Sequence, residues 1–304
     1  MKKTILFLFA FVTISSCYSQ TANEFYNNGI SKLEKKDYKG AIIQFTKAIE
    51  KNPQDARSYF KRGIAYGELK EYKEAEADYT KAIEIYPLDV DAFFNRAVSR
   101  FNMQDYKGAN KDYTQVIKLN PKSFDAYFNR GITKCIMLDL PGAKKDYNKA
   151  IEINPHDANA YYNRGILKGK LVDNKGAIAD FTKAIEVDSL NINSYYNRGV
   201  TKFNIKDYKG AIADYDITIK LNPGIEMVYY DRGLSKDKIK DYNGAIVDYT
   251  KAIELEPNDA NAYYWRGIAK VNVLDEKGGC KDLRQALDLG RENTKMAINE
   301  LCGD

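Results

Sequence analysis

The sequence predicts an all-α solenoid of eight stacked helix–turn–helix repeats, and three observations carry that prediction. The stretch Tyr161-Tyr162-Asn163-Arg164-Gly165 returns verbatim 34 residues later as Tyr195-Tyr196-Asn197-Arg198-Gly199. The small residue that closes it recurs at the same interval, as Gly29, Gly63, Ala97, Gly131, Gly165, Gly199, Gly233 and Gly267, with no insertion or deletion. Two apolar-periodic segments alternate inside each interval, split by a short polar turn. A fixed period of about 20–50 residues marks an architecture whose units bury their faces only against their neighbours. Counting positions 1 to 34, the copies begin at Ala22, Ala56, Val90, Phe124, Ala158, Ile192, Glu226 and Ala260 and span residues 22–290.

Helix boundaries follow from capping chemistry. Position 34 holds Asp55, Asp89, Ser123, Asp157, Asn191, Ile225 and Asp259; all but Ile225 can accept from the free N–H groups of a following first helix. Position 16 holds Asp37, Glu71, Asp105, Asp139, Asp173, Asp207, Asp241 and Asp275, which predicts caps for the second helices. Pro53, Pro87, Pro121, Pro155, Pro223 and Pro257 at position 32 end those helices, with Ser189 the one departure. Pro141 falls in a first turn, where a missing N–H matters little. The last copy decays, with Gly279 in place of Ala and Leu283 in place of an aromatic. A capping helix is expected over 291–304, from Glu292 to Leu301, with Met296, Ile298 and Leu301 facing inward.

The pattern of an aromatic at position 4, Gly at 8, Ala at 20, an aromatic at 24, Ala at 27 and Pro at 32 resembles the tetratricopeptide repeat. That resemblance implies a right-handed superhelix whose first helices line a concave groove through positions 2, 5, 6, 9, 12 and 13. It also implies a scaffold for a protein or extended peptide partner. Close packing explains the pattern, because small residues at 8, 20 and 27 let backbones approach while the rings fill what remains.

Residues 1–19 are of another kind. Lys2 and Lys3 precede an apolar run from Ile5 to Ile14 and then small residues, the three-part pattern of a secretory leader. Ile14-Ser15-Ser16-Cys17 also resembles a lipobox, in which Cys17 would carry lipid and the leader would be 1–16. The ordinary cut before Gln20 is preferred, since repeats starting near Ala22 leave a lipid anchor almost no tether. The chain is thus expected to be exported, periplasmic or extracellular, with an outer-membrane lipoprotein as the variant and membrane association only through Cys17. Without Lys2 and Lys3, 45 basic residues stand against 42 acidic ones, well mixed, which excludes an electrostatic footprint for nucleic acid.

No catalytic, metal or cofactor pattern is present: the single His156 lies in a loop, and no phosphate loop or nucleophile elbow occurs. The expectation is a non-enzymatic chain with no cofactor, metal or small-molecule substrate. Two residue series remain as candidates. Position 7 is Arg and position 23 Asp in repeats 2 to 8, including Arg164 with Asp180 and Arg198 with Asp214. The first repeat has the neutral Asn28 and Gln44. Positions that switch together suggest contact, a partly buried bridge between the helices of a repeat or its neighbour.

The second series lies on the expected groove stripe. Position 6 carries Asn95, Asn129, Asn163 and Asn197 in four consecutive repeats, and position 5 carries Phe94, Phe128, Tyr162 and Tyr196 beside them. Asparagine can both donate to and accept from a peptide backbone. First helices about 8–10 Å apart would meet every third residue of an extended strand. The series resembles the asparagine ladder of O-linked N-acetylglucosaminyltransferases, though no transferase domain follows. The clamp of chaperone-tail-binding members is not matched, because position 5 has no Lys. The aromatic series would also suit sugar stacking, which leaves a carbohydrate-binding module as the alternative, beside a lipid-anchored structural subunit of an envelope complex. Finally, Cys280 and Cys302 lie about equally far from the turn near Gly290, so antiparallel helices would bring them together as a disulfide.

Overall fold

The computed structural model describes residues 21–303; the leader and Cys17 lie outside them. The described residues form seventeen helices and no strand, in consecutive helix–turn–helix pairs. They divide into two compact units, the first ending at Pro155 and the second starting at His156. In the first unit lie α1 (21–34), α2 (Tyr38–Lys51), α3 (Ala56–Glu68), α4 (Tyr72–Ile85), α5 (Val90–Asn102), α6 (Tyr106–Leu119), α7 (Phe124–Ile136) and α8 (Leu140–Ile153). The second holds α9 (Ala158–Lys170), α10 (Asn174–Val187), α11 (Ile192–Asn204), α12 (Tyr208–Leu221), α13 (Glu226–Lys238), α14 (Tyr242–Leu255), α15 (Ala260–Asn272), α16 (Glu276–Asp288) and α17 (Thr294–Leu301).

Within each pair the residue at position 16 does two jobs. The N–H of Asp139 donates to Lys134 O, closing the end of α7, while its carboxylate accepts from Gly142 N–H at the start of α8. The same cap bond forms at Asp37, Asp105, Asp173, Asp207, Asp241 and Asp275. Glu71 makes none. The reason is visible at position 19, which is Gly in the seven capped repeats and Glu74 in the second. A Cβ at Gly210 would lie 2.1 Å from Asp207 Oδ2, so the cap carboxylate occupies the space a side chain would need. At position 34, Asp89, Ser123, Asp157, Asn191 and Asp259 cap the following helix. Asp55 does not, because its oxygens accept from Arg57 Nε and Ser58 Oγ instead.

The turn before position 16 holds a residue with positive φ in every repeat, and none is glycine: Lys36, Lys70, Gln104, Leu138, Val172, Lys206, Lys240 and Leu274, at 58° to 66°. This left-handed residue lets the following N–H reach back five residues to close the first helix.

The core is a repeated layer of ring and alanine. Ala41, Ala75, Ala109, Ala143, Ala177, Ala211 and Ala245 are fully buried, and the rings at position 24 nearly so. A Cβ on Gly165 would fall 2.7 Å from Phe181 Cε1, so glycine at position 8 is the seat of that ring. Gly279 is not a decayed alanine. A Cβ there would lie 2.6 Å from Val271 Cγ2 and 2.8 Å from Gly267 O, so the last pair packs closer than the others allow. The terminal helix also differs from expectation: it begins at Thr294, and Thr294, Ala297 and Ile298 are its buried residues. Met296 and Leu301, expected to face inward, are exposed; of the three only Ile298 is buried. Ala297 and Ile298 pack on Leu283, Tyr264 and Ile268.

Candidate functional site

Two features recur along the first helices, one buried and one facing solvent. The buried one is electrostatic. In repeats 2 to 8 the Arg at position 7 grips the Asp at position 23 of the same repeat with Nε and Nη2, at 2.5–3.0 Å. Arg164 meets Asp180 and Arg198 meets Asp214 in this way, and the aspartates are buried. A parallel fork of this kind fixes the relative roll of two helices. The third nitrogen reaches the preceding repeat: Nη1 of Arg62, Arg96, Arg130, Arg198 and Arg266 donates to Thr46, Thr80, Thr114, Thr182 and Thr250. Each guanidinium also sits 5.3–5.7 Å from the ring at position 4.

A second cation, absent from the sequence analysis, completes the arrangement. Position 11 holds Arg100, Lys134, Lys168, Lys202, Lys236 and Lys270, each 2.8 Å from the carboxylate of position 23. In repeat 2 that position is Tyr66. Burial raises the Asp78 carboxyl above its usual range even against the lowering by Arg62. Lys32 of the first repeat, with Gln44 at position 23, turns instead to Asp37 at 2.8 Å. Lysine on a polar helix face is too common for its partner to be read without coordinates.

The solvent-facing feature is the stripe of positions 5 and 6. Asn95, Asn129, Asn163 and Asn197 are half-buried and share one conformation. Each Nδ2 donates to the backbone carbonyl four residues earlier, on Asp91, Asp125, Asn159 and Asn193, at 2.8–2.9 Å. That bond fixes the amide and turns the side chain into an oriented carbonyl acceptor. Asn197 Nδ2 also donates to Tyr162 Oη. Asn95 and Asn129 belong to the first unit, Asn163 and Asn197 to the second.

The rings beside them pack inward. Phe94, Phe128, Tyr162 and Tyr196 lie 5.6–6.1 Å from Tyr113, Tyr147, Phe181 and Tyr215, the position-24 rings of their own repeats. In repeat 7 position 6 is Asp231, which accepts from Tyr196 Oη at 2.8 Å. Nearby, burial pushes the Glu226 carboxyl up to about 7, with Asp259 beside it adding to the rise.

At the C-terminus, Cys280 on α16 and Cys302 after α17 are joined by a disulfide, their Cα atoms 5.7 Å apart. Cys135 Sγ lies 3.8 Å from Tyr147 Oη. Among the described residues no group of three or more His, Cys, Asp or Glu could hold a metal, and no helix is long and apolar enough to cross a membrane.

Comparison with known proteins agrees with this geometry. Family models described as tetratricopeptide repeat match residues 56–88, 91–123 and 158–189, and one described as TPR repeat matches 139–172 and 238–272. The chain belongs to the tetratricopeptide repeat family. No curated protein sequence matches it significantly. Among solved structures it is similar to a tetratricopeptide repeat protein from Parabacteroides merdae, at 20% identity and TM-score 0.59, over 81% of this chain and 98% of that one. It is also similar to YrrB, described as a TPR protein with an unusual peptide-binding site, at 21% identity and TM-score 0.55, over 60% and 95%. A third is MamA, at 23% identity and TM-score 0.53, over 56% and 93%. These likenesses concern the fold. The fold is consistent with a protein–protein interaction scaffold, and repeat proteins of this family are in general non-enzymatic.

Proposed function

We propose that the chain is a non-enzymatic scaffold that takes an extended segment of a partner protein along the exposed stripe of its first helices. The observation that carries this is the shared conformation of the position-6 asparagines. With one N–H tied to their own helix, they offer carboxamide oxygens to main-chain N–H groups of any sequence. Such backbone recognition is how an extended peptide is held without a fixed motif, side-chain pockets adding selectivity. The arginine–aspartate forks supply the rigidity this needs, since in repeats 2 to 8 they hold the first helix to its own second helix, and within each unit Arg62, Arg96, Arg130, Arg198 and Arg266 also tie it to the repeat before.

We also place the protein outside the cytoplasm, with residues 1–19 as a removable leader. Supporting this are the leader's charge and hydropathy pattern and the paired Cys280 and Cys302, a pairing that persists in oxidising compartments. The partner is sought by pull-down with the chain lacking its leader. Replacing Asn95, Asn129, Asn163 and Asn197 together by Ala should leave the helical circular dichroism unchanged. Affinity for the captured partner should weaken at least about tenfold, since four bonds at ~0.5 kcal/mol each sum to ~2 kcal/mol. A folded quadruple variant that binds as tightly as the parent would remove the asparagines from recognition.

A further inference from the structure

We propose that a pocket between repeats 2 and 3 takes an aromatic side chain of the bound segment, an inference that rests on the peptide-binding reading and names what the segment must carry. The pocket has a volume of about 210 Å³ and opens at positions 6, 9, 12 and 13, on the same stripe as the asparagines. Gly67, Tyr72, Tyr79 and Asn95 are among the residues that line it. This volume is well below that of a typical small-molecule site and close to what one side chain fills.

The chain itself contains the template for its occupant. Position 12 is Phe101 in repeat 3 and Phe203 in repeat 6. Their rings meet Tyr106 and Tyr208, at position 17, edge-to-face with centroids 5.4 Å apart. Repeat 2 keeps the position-17 ring as Tyr72 but has Gly67 at position 12. A Cβ on Gly67 would meet only Tyr79 Oη, at 3.7 Å, so the space that a phenylalanine fills elsewhere is open. The other glycine at position 12, Gly169, faces Asn174 at position 17 and so lacks the ring wall. Only repeat 2 combines a vacated position 12 with an aromatic wall.

The polar surroundings select a peptide over a free ring. In repeats 4 and 7 the position-24 hydroxyl is met by position 12, with Cys135 Sγ near Tyr147 Oη and Asp237 accepting from Tyr249 Oη. Gly67 has no side chain to do this, so the Tyr79 hydroxyl faces the pocket. Asn95, which also lines the pocket, holds its amide on Asp91 O and can accept a main-chain N–H from the residue whose ring is inserted. Edge-to-face contact with Tyr72 favours an aromatic ring over an aliphatic chain of similar size.

The test uses the chain labelled with [15N]glycine, the Gly67 resonance being identified by its loss in Gly67→Ala. N-Acetylphenylalaninamide should shift Gly67 saturably, with a Kd on the order of 1 mM. The Gly169 resonance should stay in place. N-Acetylleucinamide and benzyl alcohol should each bind at least about tenfold more weakly, the first lacking the ring and the second the backbone. Gly67→Phe should fill the pocket from within, abolish the probe's effect, and unfold at no lower temperature than the parent. The proposal is overturned if Gly67 does not respond, if Gly169 responds equally, if either comparison probe binds as well, or if Gly67→Phe is markedly destabilised. Because the probe requires no partner, its failure would leave the asparagine-based reading intact, and replacing only Asn129, Asn163 and Asn197, which do not line the pocket, tests that reading separately.

Discussion

The second and sixth repeats follow one 34-residue plan and differ in how completely they execute it. In the sixth, Asp214 is held by Arg198 and Lys202 together, Asp207 caps α12 over Gly210, and Phe203 packs against Tyr208. In the second, Asp78 has Arg62 but Tyr66 in place of the lysine, Glu71 makes no cap bond, and Gly67 leaves Tyr72 without a ring. Glu71 changes together with Glu74, whereas Gly67 and Tyr66 change opposite partners that are kept, Tyr72 and Asp78. The comparison teaches that the unit of design in this chain is the coupled pair of positions, so that a substitution is best judged by its partner across the turn.

The largest expected effect separates the two repeats at position 23. Asp214→Asn strands two cations, Arg198 and Lys202, in a mostly buried site, and removing one partner of a buried pair costs about 3–5 kcal/mol. Asp78→Asn strands one, and also removes a carboxyl whose pKa burial already raises. For such a group, stability is greatest below the unfolded carboxylate range and is lost as pH rises through the folded value. Asp78→Asn should therefore cost clearly less than Asp214→Asn in urea unfolding near neutral pH. Tyr66→Lys should then stabilise the second repeat by up to about 1 kcal/mol. Equal losses at the two aspartates would show that the position-11 cation contributes nothing.

A smaller effect tests the pairing of positions 16 and 19. Gly to Ala inside a helix normally stabilises by about 0.5–1 kcal/mol. At Gly210 the new Cβ meets the Asp207 carboxylate, so the gain should be cancelled by loss of a cap bond worth about 1 kcal/mol. In an Asp207→Ala background the same substitution should recover its usual gain. Identical effects in both backgrounds would uncouple the positions.

How far the sequence could be read follows the same logic. The 34-residue period made the helix pairs and their order legible, because every copy had to bury the same ring against the same small residues. Arg164 with Asp180 was legible as a pair because the first repeat changes both positions at once, to Asn28 and Gln44. Glu71 with Glu74 changes jointly as well, but glycine after a turn reads as punctuation, which hid its role as space for a carboxylate. Lys202 could not be assigned to Asp214, since a lysine on a helix face has many potential partners. Asn163 was legible as a polar groove residue; that its amide is tied to Asn159 O depends on a rotamer. The pocket at Gly67 needed the three-dimensional meeting of positions 12, 17 and 24.

The smallest effect concerns a position where the second and sixth repeats agree and the fifth departs. Position 15 closes every first helix in the left-handed region, as Lys70 at 62° in repeat 2, Lys206 at 66° in repeat 6 and Val172 at 60° in repeat 5. That conformation costs an L-residue about 1–2 kcal/mol, most for a β-branched one, whose Cβ substituents crowd the following carbonyl. Glycine removes the clash but gives back about 0.5–1 kcal/mol through the greater freedom of the unfolded chain. Val172 is 79% exposed, so little burial is lost with its side chain. Val172→Gly should therefore raise the urea midpoint by an amount worth about 0.5–1 kcal/mol, whereas Lys70→Gly and Lys206→Gly should change it by less than half of that. Val172→Asn, which tolerates the same φ without glycine's entropy, should do at least as well as Val172→Gly. If Val172→Gly instead destabilises the chain, the valine is contributing contacts that its exposure does not reveal, and position 15 is not where the fifth repeat is strained.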